Sequence, residues 1–426
     1  MSVGKPVRLA YGRAGLEVEV PAGADVLEPR RRPALPDEAE ALRRALRHPI
    51  ASPALRDLVP RGATVGISVC DVTRPFPAAR VLPVLLDELD HVDPSRVTVF
   101  IATGTHRACT REELRDLLGE RVLAEVRVVQ HDALDRSRHA RLGTVPGSSV
   151  PALVERDFLE QEVRITTGFI EPHFFAGFSG GPKMVAPGLA HLDTVLELHS
   201  AARIGHPLAT WAVTRGNPVH DAVREIAARA GVAFALDVTL DPEHRITAVF
   251  AGDPARAHAA GCAFVAETAT VTVPEPYDVV LGTNSGYPLD QNLYQTVKGM
   301  SAAARIVRPG GAIVICSECA DGLPDHGSYG QLLRESGGPE AFLERLRRPG
   351  PARHDQWQVQ VQAQVLARAR VRLRTDGLSP EQVRSAWLEP VDDLATCLAG
   401  LLREAGPGAR LAVLPQGPQT IPRLAD

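Results

Sequence analysis

Four β-rich runs in the first 170 residues each end at a polar motif, and most are followed by a helical pattern. Two of them, ATVGISVC (63–70) and RVTVFIATG (96–104), have the form of buried strands, and shorter runs at 125–130 and 162–170 repeat the arrangement. Such apolar runs are typical of parallel strands covered on both faces. The repeat of strand, motif and helix predicts an α/β fold whose motifs gather at the carboxyl ends of the strands.

The same kind of pattern restarts after a proline-containing stretch at 268–276, which we take as a domain boundary. The restart consists of a strand, a helix and a strand at 277–284, 292–307 and 311–317. We therefore predict two α/β domains with largely parallel sheets, at residues 1–270 and 275–426. The active site is expected in the crevice between them, with the N-terminal domain carrying the cofactor and the C-terminal domain closing over the substrate.

The bulk composition excludes several classes of protein. At 426 residues the chain is long enough for two or three domains with their own cores. A net charge of -4 with no basic run argues against nucleic-acid binding. The N-terminus lacks a signal-peptide core, and no apolar run reaches membrane-spanning length. Six cysteines suggest no disulfide framework, so we expect a cytoplasmic protein that contacts neither membrane nor nucleic acid.

Several local patterns give further secondary-structure predictions. Residues 7–20 alternate apolar and polar side chains around a glycine turn, which predicts a hairpin. Thr110 and Glu113 have the spacing of a capping box that opens a helix. The stretch 355–371 is predicted to be helical throughout.

Lysine is scarce in this chain, which makes its few lysines informative. Of 47 basic residues only three are lysine, namely Lys5, Lys183 and Lys298. Arginine keeps its charge and is a poor nucleophile, whereas a lysine amine can lose its proton and form a covalent bond. We therefore predict that Lys183 and Lys298 are chemically required, and we interpret Lys5 as a surface residue.

A glycine-rich turn precedes Lys183. The sequence GFSGGPK (177–183) resembles a phosphate-binding loop but lacks its spacing, because Met184 follows the lysine. The motif therefore argues against a nucleotide triphosphatase. We expect the turn to form a backbone nest for one phosphate group. A flexible turn without a ligand is the alternative.

Three histidines lie beside predicted strand or helix ends: His106, His173 and His199. Two of them could serve as a general acid/base pair, because imidazole titrates near neutral pH. One could bind a borderline metal such as nickel or zinc. We predict no functional role for three other histidines, which we interpret as solvated or core residues: His220, His326 and His354. The pair Cys316 and Cys319 has no second cysteine pair, so we do not favour a zinc or redox role for it.

Two further segments offer groups that could bind an anion. The strand-end segment DVTRP (71–75) presents a carboxylate, a hydroxyl and a guanidinium, and an arginine can hold a carboxylate with two parallel hydrogen bonds. In the second half Tyr294 and Lys298 are four residues apart and so lie on one helix face. That helix could close over a small anion, although a core helix with polar edges fits equally.

Taken together and in this order, these motifs resemble the nickel-dependent lactate racemase family over nearly the whole chain. The stretches that carry the resemblance are DVTRP (71–75), GTHR (104–107), EPHFFAGFSGGPK (171–183), His199, YQTVKG (294–299) and DQWQ (355–358).

The resemblance implies a nickel-pincer nucleotide as cofactor, Ni(II)-pyridinium-3,5-bisthiocarboxylic acid mononucleotide, covalently attached at Lys183. It implies His199 as the protein's metal ligand and His106 with His173 as the alternating acid and base. The hydroxyl proton of a 2-hydroxy acid would be taken by one histidine while the α-hydride passes to the cofactor. The hydride would then return to the other face of the 2-oxo acid.

The resemblance also implies the residues that surround the cofactor and the substrate. Expected cofactor-binding residues are Asp71, Val72, Thr73, Arg74, Phe178, Ser179, Gly180, Lys183 and Pro187. Expected substrate-binding residues are Arg74, Tyr294, Gln295, Lys298 and Trp357. The implied partners are a small 2-hydroxy acid, lactate or a related carboxylate, and the enzymes that make and load the cofactor.

Two other functions remain open from the sequence. A zinc-type hydrolase would use His106, His173 and His199 as ligands, although no H-E-x-x-H spacing is present. A non-catalytic binder of small acids could have kept the fold.

Overall fold

A computed structural model describes residues 4–324, 327–348 and 350–425 of the chain. His326 lies outside these residues. Two six-stranded sheets form the framework, and both are largely parallel. The predicted α/β class is confirmed.

The first sheet contains the four predicted strands at its centre and one side. Strand Val65–Cys70 is buried along its whole length, as its continuous apolar sequence predicts for a central parallel strand. Only the outermost strand, Ile246–Gly252, runs antiparallel to its neighbour. In spatial order the strands are Ile246–Gly252, Phe234–Leu240, Val163–Phe169, Val65–Cys70, Val97–Ala102 and Arg127–Gln130.

The second sheet is parallel throughout and includes a strand from the opposite end of the chain. Asp25–Val26 pairs with Leu411–Leu414 at its edge. In spatial order the strands are Glu389–Pro390, Arg370–Arg374, Val307–Cys316, Tyr277–Thr283, Leu411–Leu414 and Asp25–Val26.

The N-terminal segment belongs structurally with this second sheet. The predicted hairpin is present as Lys5–Leu9 paired with Leu16–Val20. Its side chains, including Leu9 and Val20, share a core cluster with Val279 and Leu281 of the second sheet. We expected residues 1–270 to form one domain. The N-terminal hairpin and strand Asp25–Val26 instead pack with the second sheet. Local pattern could not indicate this, because the pairing joins residues almost 400 positions apart.

Two other predictions need correction at their ends. The stretch 268–276, which we predicted to be a domain boundary, contains strand Thr270–Val273, which pairs with Ile421–Leu424. The helix predicted over 355–371 ends at Arg368, and its last residues begin strand Arg370–Arg374. A hairpin that we did not predict joins His139–Thr144 to Pro151–Glu155.

Helices cover the sheets and have the expected local signals. Thr110 and Glu113 form the predicted capping box at the start of Arg111–Glu125. The helices are Glu38–Arg47, Leu55–Leu58, Ala78–Asp87, Arg111–Glu125, Arg156–Leu159, Leu192–Leu198, Ala201–Ile204, Pro218–Arg229, Pro254–Ala269, Leu293–Ala304, Tyr329–Glu335, Pro339–Leu346, Gln356–Arg368, Pro380–Ser385 and Leu394–Ala405. Among the described helices, none combines the length and apolar character needed to cross a membrane.

The two halves share one continuous hydrophobic core. A single cluster of buried side chains includes Phe175 and Leu198 from the first half together with Met300 and Trp357 from the second. Polar contacts add to it, since the Gln419 side-chain amide donates to Glu171 Oε2 at 2.7 Å. The carboxyl ends of the first sheet therefore face the helices of the second half across a shared interior.

Helix Leu293–Ala304 lies very close to its own sheet at Gly299. A Cβ atom placed there would be 2.2 Å from the Thr283 carbonyl oxygen, which is backbone and cannot move aside. We predict that Gly299→Ala lowers the free energy of unfolding by about 1–3 kcal/mol, measured by guanidinium chloride denaturation followed by circular dichroism.

The matched control is Gly400→Ala in helix Leu394–Ala405, where nothing lies within 4 Å of the added atom. This substitution should raise the free energy of unfolding by about 0.5–1 kcal/mol, because alanine is the better helix former. Equal effects of the two substitutions would contradict the close approach at Gly299.

Candidate active site

A buried cavity of about 140 Å³ lies at the carboxyl ends of the first sheet, under two helices of the second half. The strands that end at Cys70, Ala102 and Phe169 are neighbours in the sheet, so their following motifs meet here. The expected residues that line it are Asp71, Arg74, His106, His173, Ser179, Gly180, Lys183, Pro187, His199, Tyr294, Gln295, Lys298 and Trp357.

A larger outer cavity of about 410 Å³ adjoins this inner one. The two cavities share Asp71, Arg74 and His106, and the outer one is also lined by Val72 and Thr73. The inner cavity therefore communicates with a wider vestibule along the strand-end segment 71–74.

Phe178 is the one expected site residue whose side chain lies elsewhere. It is 2% exposed and packs in the core, next to a different cavity that Pro182 and His220 also line. Phe178 pairs with Pro172 in a two-residue strand, and this pairing directs its ring away from the site. Its side chain therefore lines neither the inner nor the outer cavity, and its role as a cofactor-binding residue stays a prediction.

His106 is oriented by a carboxylate. Its Nδ1 lies 2.8 Å from Asp71 Oδ2, while Asp71 Oδ1 accepts from the Thr73 amide and hydroxyl. A carboxylate accepts only, so His106 Nδ1 carries the proton and Nε2 is free to accept another. Burial favours the neutral acid, but His106 and then Arg74 outweigh it and the pKa of Asp71 is lowered. The pair resembles the orienting carboxylate and base of many active sites.

His173 lies deeper, 7% exposed, between two aromatic rings and an amine. Its ring stacks on Phe174 at 5.0 Å and meets Phe175 edge-on at 4.5 Å between centroids. Its Nε2 lies 3.5 Å from Lys183 Nζ. Burial, followed by the positive charge of Lys183, lowers the pKa of His173 well below the usual range, so the ring is neutral at pH 7.

Lys183 is partly buried at the end of the glycine-rich turn, in a short helical segment Gly181–Met184. Burial, and next the charge of Arg74, lower the pKa of its amine to about 7. At neutral pH a large fraction of the amine is therefore unprotonated. An unprotonated lysine amine is a nucleophile, which arginine at this position could not be.

The backbone of the glycine-rich turn is already engaged within the chain. The Ser179 amide donates to the Glu171 carbonyl, and the Gly181 amide donates to Asp237 Oδ1 at 2.9 Å. These two amides have no hydrogen left for a phosphate, so the predicted nest is wrong at these positions. Asp237 is a residue that sequence reasoning missed, because it lies 56 positions away and meets the turn only through the sheet.

His199 ends helix Leu192–Leu198 and presents a free nitrogen. Its Nδ1 donates to the Val195 carbonyl at 2.7 Å, so the other nitrogen, Nε2, carries the lone pair. Burial lowers the pKa of His199 to about 3, which keeps the ring neutral. A neutral imidazole whose second nitrogen is held by a carbonyl is the usual form of a metal-ligating histidine.

Two aromatic residues of the second half cover this imidazole. The Trp357 ring lies 4.6 Å from that of His199, and Trp357 Nε1 donates to the Tyr294 hydroxyl at 2.9 Å. Burial raises the pKa of Tyr294, so its hydroxyl stays protonated and can donate into the cavity. Gln358, which sequence reasoning did not select although it lies in DQWQ, donates to the Tyr294 carbonyl.

Lys298 and Gln295 reach the same cavity from helix Leu293–Ala304. Among the described residues, Lys298 Nζ and Gln295 Oε1 are buried without a hydrogen-bond partner. Burial, followed by the charge of Arg74, lowers the pKa of Lys298 to about 7. A buried amine without an acceptor is costly unless a ligand provides one, so this side of the cavity suits an anionic group.

The three histidines of the site do not form a joint metal site. Within the described part of the chain, only one group of three side chains has ligand atoms within 4.8 Å of one another, and His106, His173 and His199 are not in it. The hydrolase alternative requires these three on one zinc ion. The geometry argues against that alternative.

The buried amine of Lys298 should weaken the fold at neutral pH. Its folded pKa lies below its unfolded value, so stability is lost as pH falls from about 10 to about 7 and the unfolded chain takes up the proton. We predict that Lys298→Met raises the free energy of unfolding at pH 7 by about 1–3 kcal/mol.

The difference between Lys298→Met and the unsubstituted chain should shrink as the pH approaches 10.5, measured by chemical denaturation across that range. Lys5→Met is the control, since Lys5 is partly exposed and donates to the Ala24 carbonyl. A destabilised Lys298→Met at pH 7 would contradict the described burial.

Comparison with known proteins agrees with this geometry. Residues 11–212 match the family model described as lactate racemase N-terminal domain, and residues 273–421 match lactate racemase C-terminal domain. The chain is 37% identical over 389 residues to a lactate racemase of Thermoanaerobacterium thermosaccharolyticum, covering 91% of each chain. It is 34% identical over 383 residues to a lactate racemase of Lactiplantibacillus plantarum, covering 89% of this chain and 90% of the relative.

Solved structures show the same fold. The lactate racemase apoprotein of Thermoanaerobacterium thermosaccharolyticum superposes with a TM-score of 0.90 at 34% identity, over 98% of this chain and 100% of that one. A Thermotoga maritima protein with 20% identity has a TM-score of 0.68 over 94% of this chain and 100% of its own, which is a likeness of fold alone. The chain thus belongs to the lactate racemase family of isomerases, as its motifs predicted.

Proposed function

We propose that this protein racemises or epimerises a 2-hydroxy acid, lactate or a related carboxylate, with a nickel-pincer nucleotide tethered at Lys183. One observation carries the proposal. A lysine amine with a pKa of about 7 shares a single buried cavity with the free nitrogen of His199 and with two further histidines.

The side chains present fit such a cofactor. The Lys183 amine is the nucleophile that a covalent tether requires, and His199 Nε2 is the lone pair that a nickel ion requires. Arg74 lies beside them as a positive group for an anionic partner. The other cofactor contacts that we propose are Asp71, Val72, Thr73, Ser179, Gly180 and Pro187, all of which line one of the two cavities.

When bound, the nickel-pincer nucleotide would supply an acceptor and donor for the substrate's α-hydride. The chain's own residues orient the acid, move its hydroxyl proton and exclude water. His106 supports the role of base, since its Nε2 is free while Asp71 holds Nδ1. His173 fits the role of the acid on another wall of the cavity, because its neutral ring accepts the Ala176 amide hydrogen at Nδ1 and so carries its own proton at Nε2.

The substrate carboxylate has a matching group of donors. Lys298 Nζ is buried and without a partner among the described residues, and the Tyr294 hydroxyl is free to donate because Trp357 supplies the hydrogen between them. With a pKa of about 7, the Lys298 amine is protonated in about half of the molecules at pH 7. A bound anion favours the protonated form. We propose that Lys298, Gln295 and Tyr294 hold the carboxylate, with Arg74 opposite and Trp357 closing the pocket.

Loading and location follow from the same proposal. The tethered cofactor requires the enzymes that make it, which are therefore proposed partners. A cytoplasmic location stays a prediction, supported by the six cysteines, which are all free thiols.

Intact-mass analysis tests the tether. In protein co-expressed with cofactor-making enzymes, we expect a cofactor adduct on the peptide containing Lys183, and racemisation of lactate or a larger 2-hydroxy acid read by chiral chromatography. Lys183→Arg should abolish both, because guanidinium keeps the charge but does not form the bond.

Lys5→Arg is the matched control for that experiment and should keep adduct and activity. A Lys183→Arg variant that retains racemisation would overturn the tether. A Lys183→Arg variant that carries the cofactor adduct on another residue would also overturn the tether at Lys183.

The hydrogen bond from His106 to Asp71 gives a second prediction. Thr73 holds Asp71 Oδ1 with two donors, so in Asp71→Asn the amide oxygen stays there and the new NH2 group faces His106. His106 then accepts at Nδ1 and carries its proton at Nε2, which removes the free base. We predict a fall in kcat of about 10²–10⁴-fold.

The adduct at Lys183 and the thermal midpoint of Asp71→Asn should change little, which separates a lost base from a lost fold. Thr73→Val is a companion variant, because it removes one of the two donors and should lower kcat less. Unchanged kcat in Asp71→Asn would contradict the role of His106 as base.

A further inference from the structure

A second group of histidines lies outside the cavity, behind the strand-end loop that carries His106. His131, His139 and Glu155 each offer one ligand atom, and these atoms lie within 4.8 Å of one another. All three side chains are buried. His131 follows strand Arg127–Gln130, and His139 and Glu155 face each other across the hairpin in direct register.

The hydrogen bonds of His139 fix where its proton lies. His139 Nδ1 is 2.8 Å from the Asp135 carbonyl oxygen, which can only accept. The neutral ring therefore has its lone pair on Nε2. That atom lies 3.0 Å from His131 Nε2, so the two imidazoles point at each other.

His131 can present a lone pair to the same point. Its Nδ1 is 3.2 Å from the Thr103 hydroxyl, which is also 3.0 Å from the His131 carbonyl oxygen. With the hydroxyl hydrogen on that carbonyl, Nδ1 donates to Thr103 and Nε2 is free. Burial lowers the pKa of His131 to about 3, and it lowers that of His139 as well, so neither ring is a cation at neutral pH.

Glu155 adds a buried carboxylate that is incompletely satisfied. The residue is 1% exposed, and its Oε2 has no hydrogen-bond partner among the described residues. Arg138 Nε donates to the other oxygen, Oε1, at 3.3 Å, and Arg138 Nη2 lies 3.2 Å from Oε2 without the alignment of a hydrogen bond. Burial, which outweighs Arg138, raises the pKa of Glu155 to about 7. A positive ion between the imidazoles would satisfy this carboxylate.

We propose that His131 Nε2, His139 Nε2 and Glu155 bind one divalent cation of the zinc type. With zinc–nitrogen bonds of about 2.05 Å, two ligands at angles of ~90–110° are ~2.9–3.4 Å apart. The observed 3.0 Å between the two Nε2 atoms lies inside that interval. The carbonyl and hydroxyl that hold the two Nδ1 atoms are the partners that metal-ligating histidines usually have. Water completes the coordination.

This cation would stabilise the segments that carry His106 and His199, on the side away from the cavity. Thr103, which contacts His131, is three residues before His106 and lines the inner cavity. The His139 ring lies 5.2 Å from that of His191, which caps the helix that ends at His199. One ion therefore connects the supports of both His106 and His199 without contacting the substrate.

Zinc binding to the full-length protein tests the proposal. After removal of metals with a chelator, the unsubstituted chain should take up one zinc per chain at this site, and its thermal midpoint should rise by roughly 3–6 °C at saturating zinc. His139→Gln and Glu155→Gln should each weaken binding at least tenfold and lose that rise, with folding checked by circular dichroism.

Two controls locate the ion. His199→Ala removes the histidine that we propose as the nickel ligand of the inner cavity. His220→Gln alters a stacked pair with His258 that belongs to no group of three ligand atoms among the described residues. Both should keep the zinc. Retention in His139→Gln together with loss in His199→Ala would overturn the proposal, as would absence of zinc uptake by the unsubstituted chain.

X-ray absorption at the zinc edge gives a readout that does not depend on variants. Two imidazoles and one carboxylate are expected, and sulfur ligands would overturn the assignment. Because the Lys183 adduct is measured separately, failure of this site leaves the proposed racemase function untouched, and the reverse also holds.

Discussion

Burial of two lysine amines in one small cavity is the constraint on which the site depends. Lys183 and Lys298 both line the inner cavity, and burial lowers the pKa of each to about 7. Isolated buried amines destabilise a fold, so the surrounding structure has to be rigid enough to keep them there. The shared hydrophobic core of the two halves and the hydrogen bond from Gln419 to Glu171 provide that rigidity.

The same desolvation gives each polar group its chemical state. His173 and His199 are neutral because they are buried, whereas Asp71 remains a carboxylate because His106 and Arg74 outweigh its burial. A cavity that held only one of these features would have a simple structural explanation. Together they distribute a nucleophile, a lone pair, a base and anion-binding groups over different walls of one space, which is how active sites shift pKa values in opposite directions.

Much of this arrangement could be predicted from local sequence. Buried parallel strands can be predicted from their continuous apolar composition. The motifs that follow Cys70, Ala102 and Phe169 meet because these three strands are neighbours in the sheet. The scarcity of lysine drew attention to Lys183 and Lys298, and both side chains line the inner cavity.

What could not be predicted depends on distant pairing. The strand Asp25–Val26 joins the second sheet through Leu411–Leu414, and His139 meets Glu155 only because of a hairpin register. The position of the Phe178 ring could not be predicted for the opposite reason. The residue is adjacent in sequence to cavity residues, but its ring is buried in the core beside a two-residue strand pairing. The amides of the glycine turn are engaged by Glu171 and by Asp237, a strand residue that no local pattern relates to the turn.

The position of Lys183 has a consequence for how a group can become attached to its amine. Its amine lines the inner cavity together with Trp357, a buried side chain that the second half of the chain provides. A group that bonds this amine, as we propose for the cofactor, therefore has to reach it past side chains of the second half. The residues that would cover the attached group are then the same residues that limit its entry.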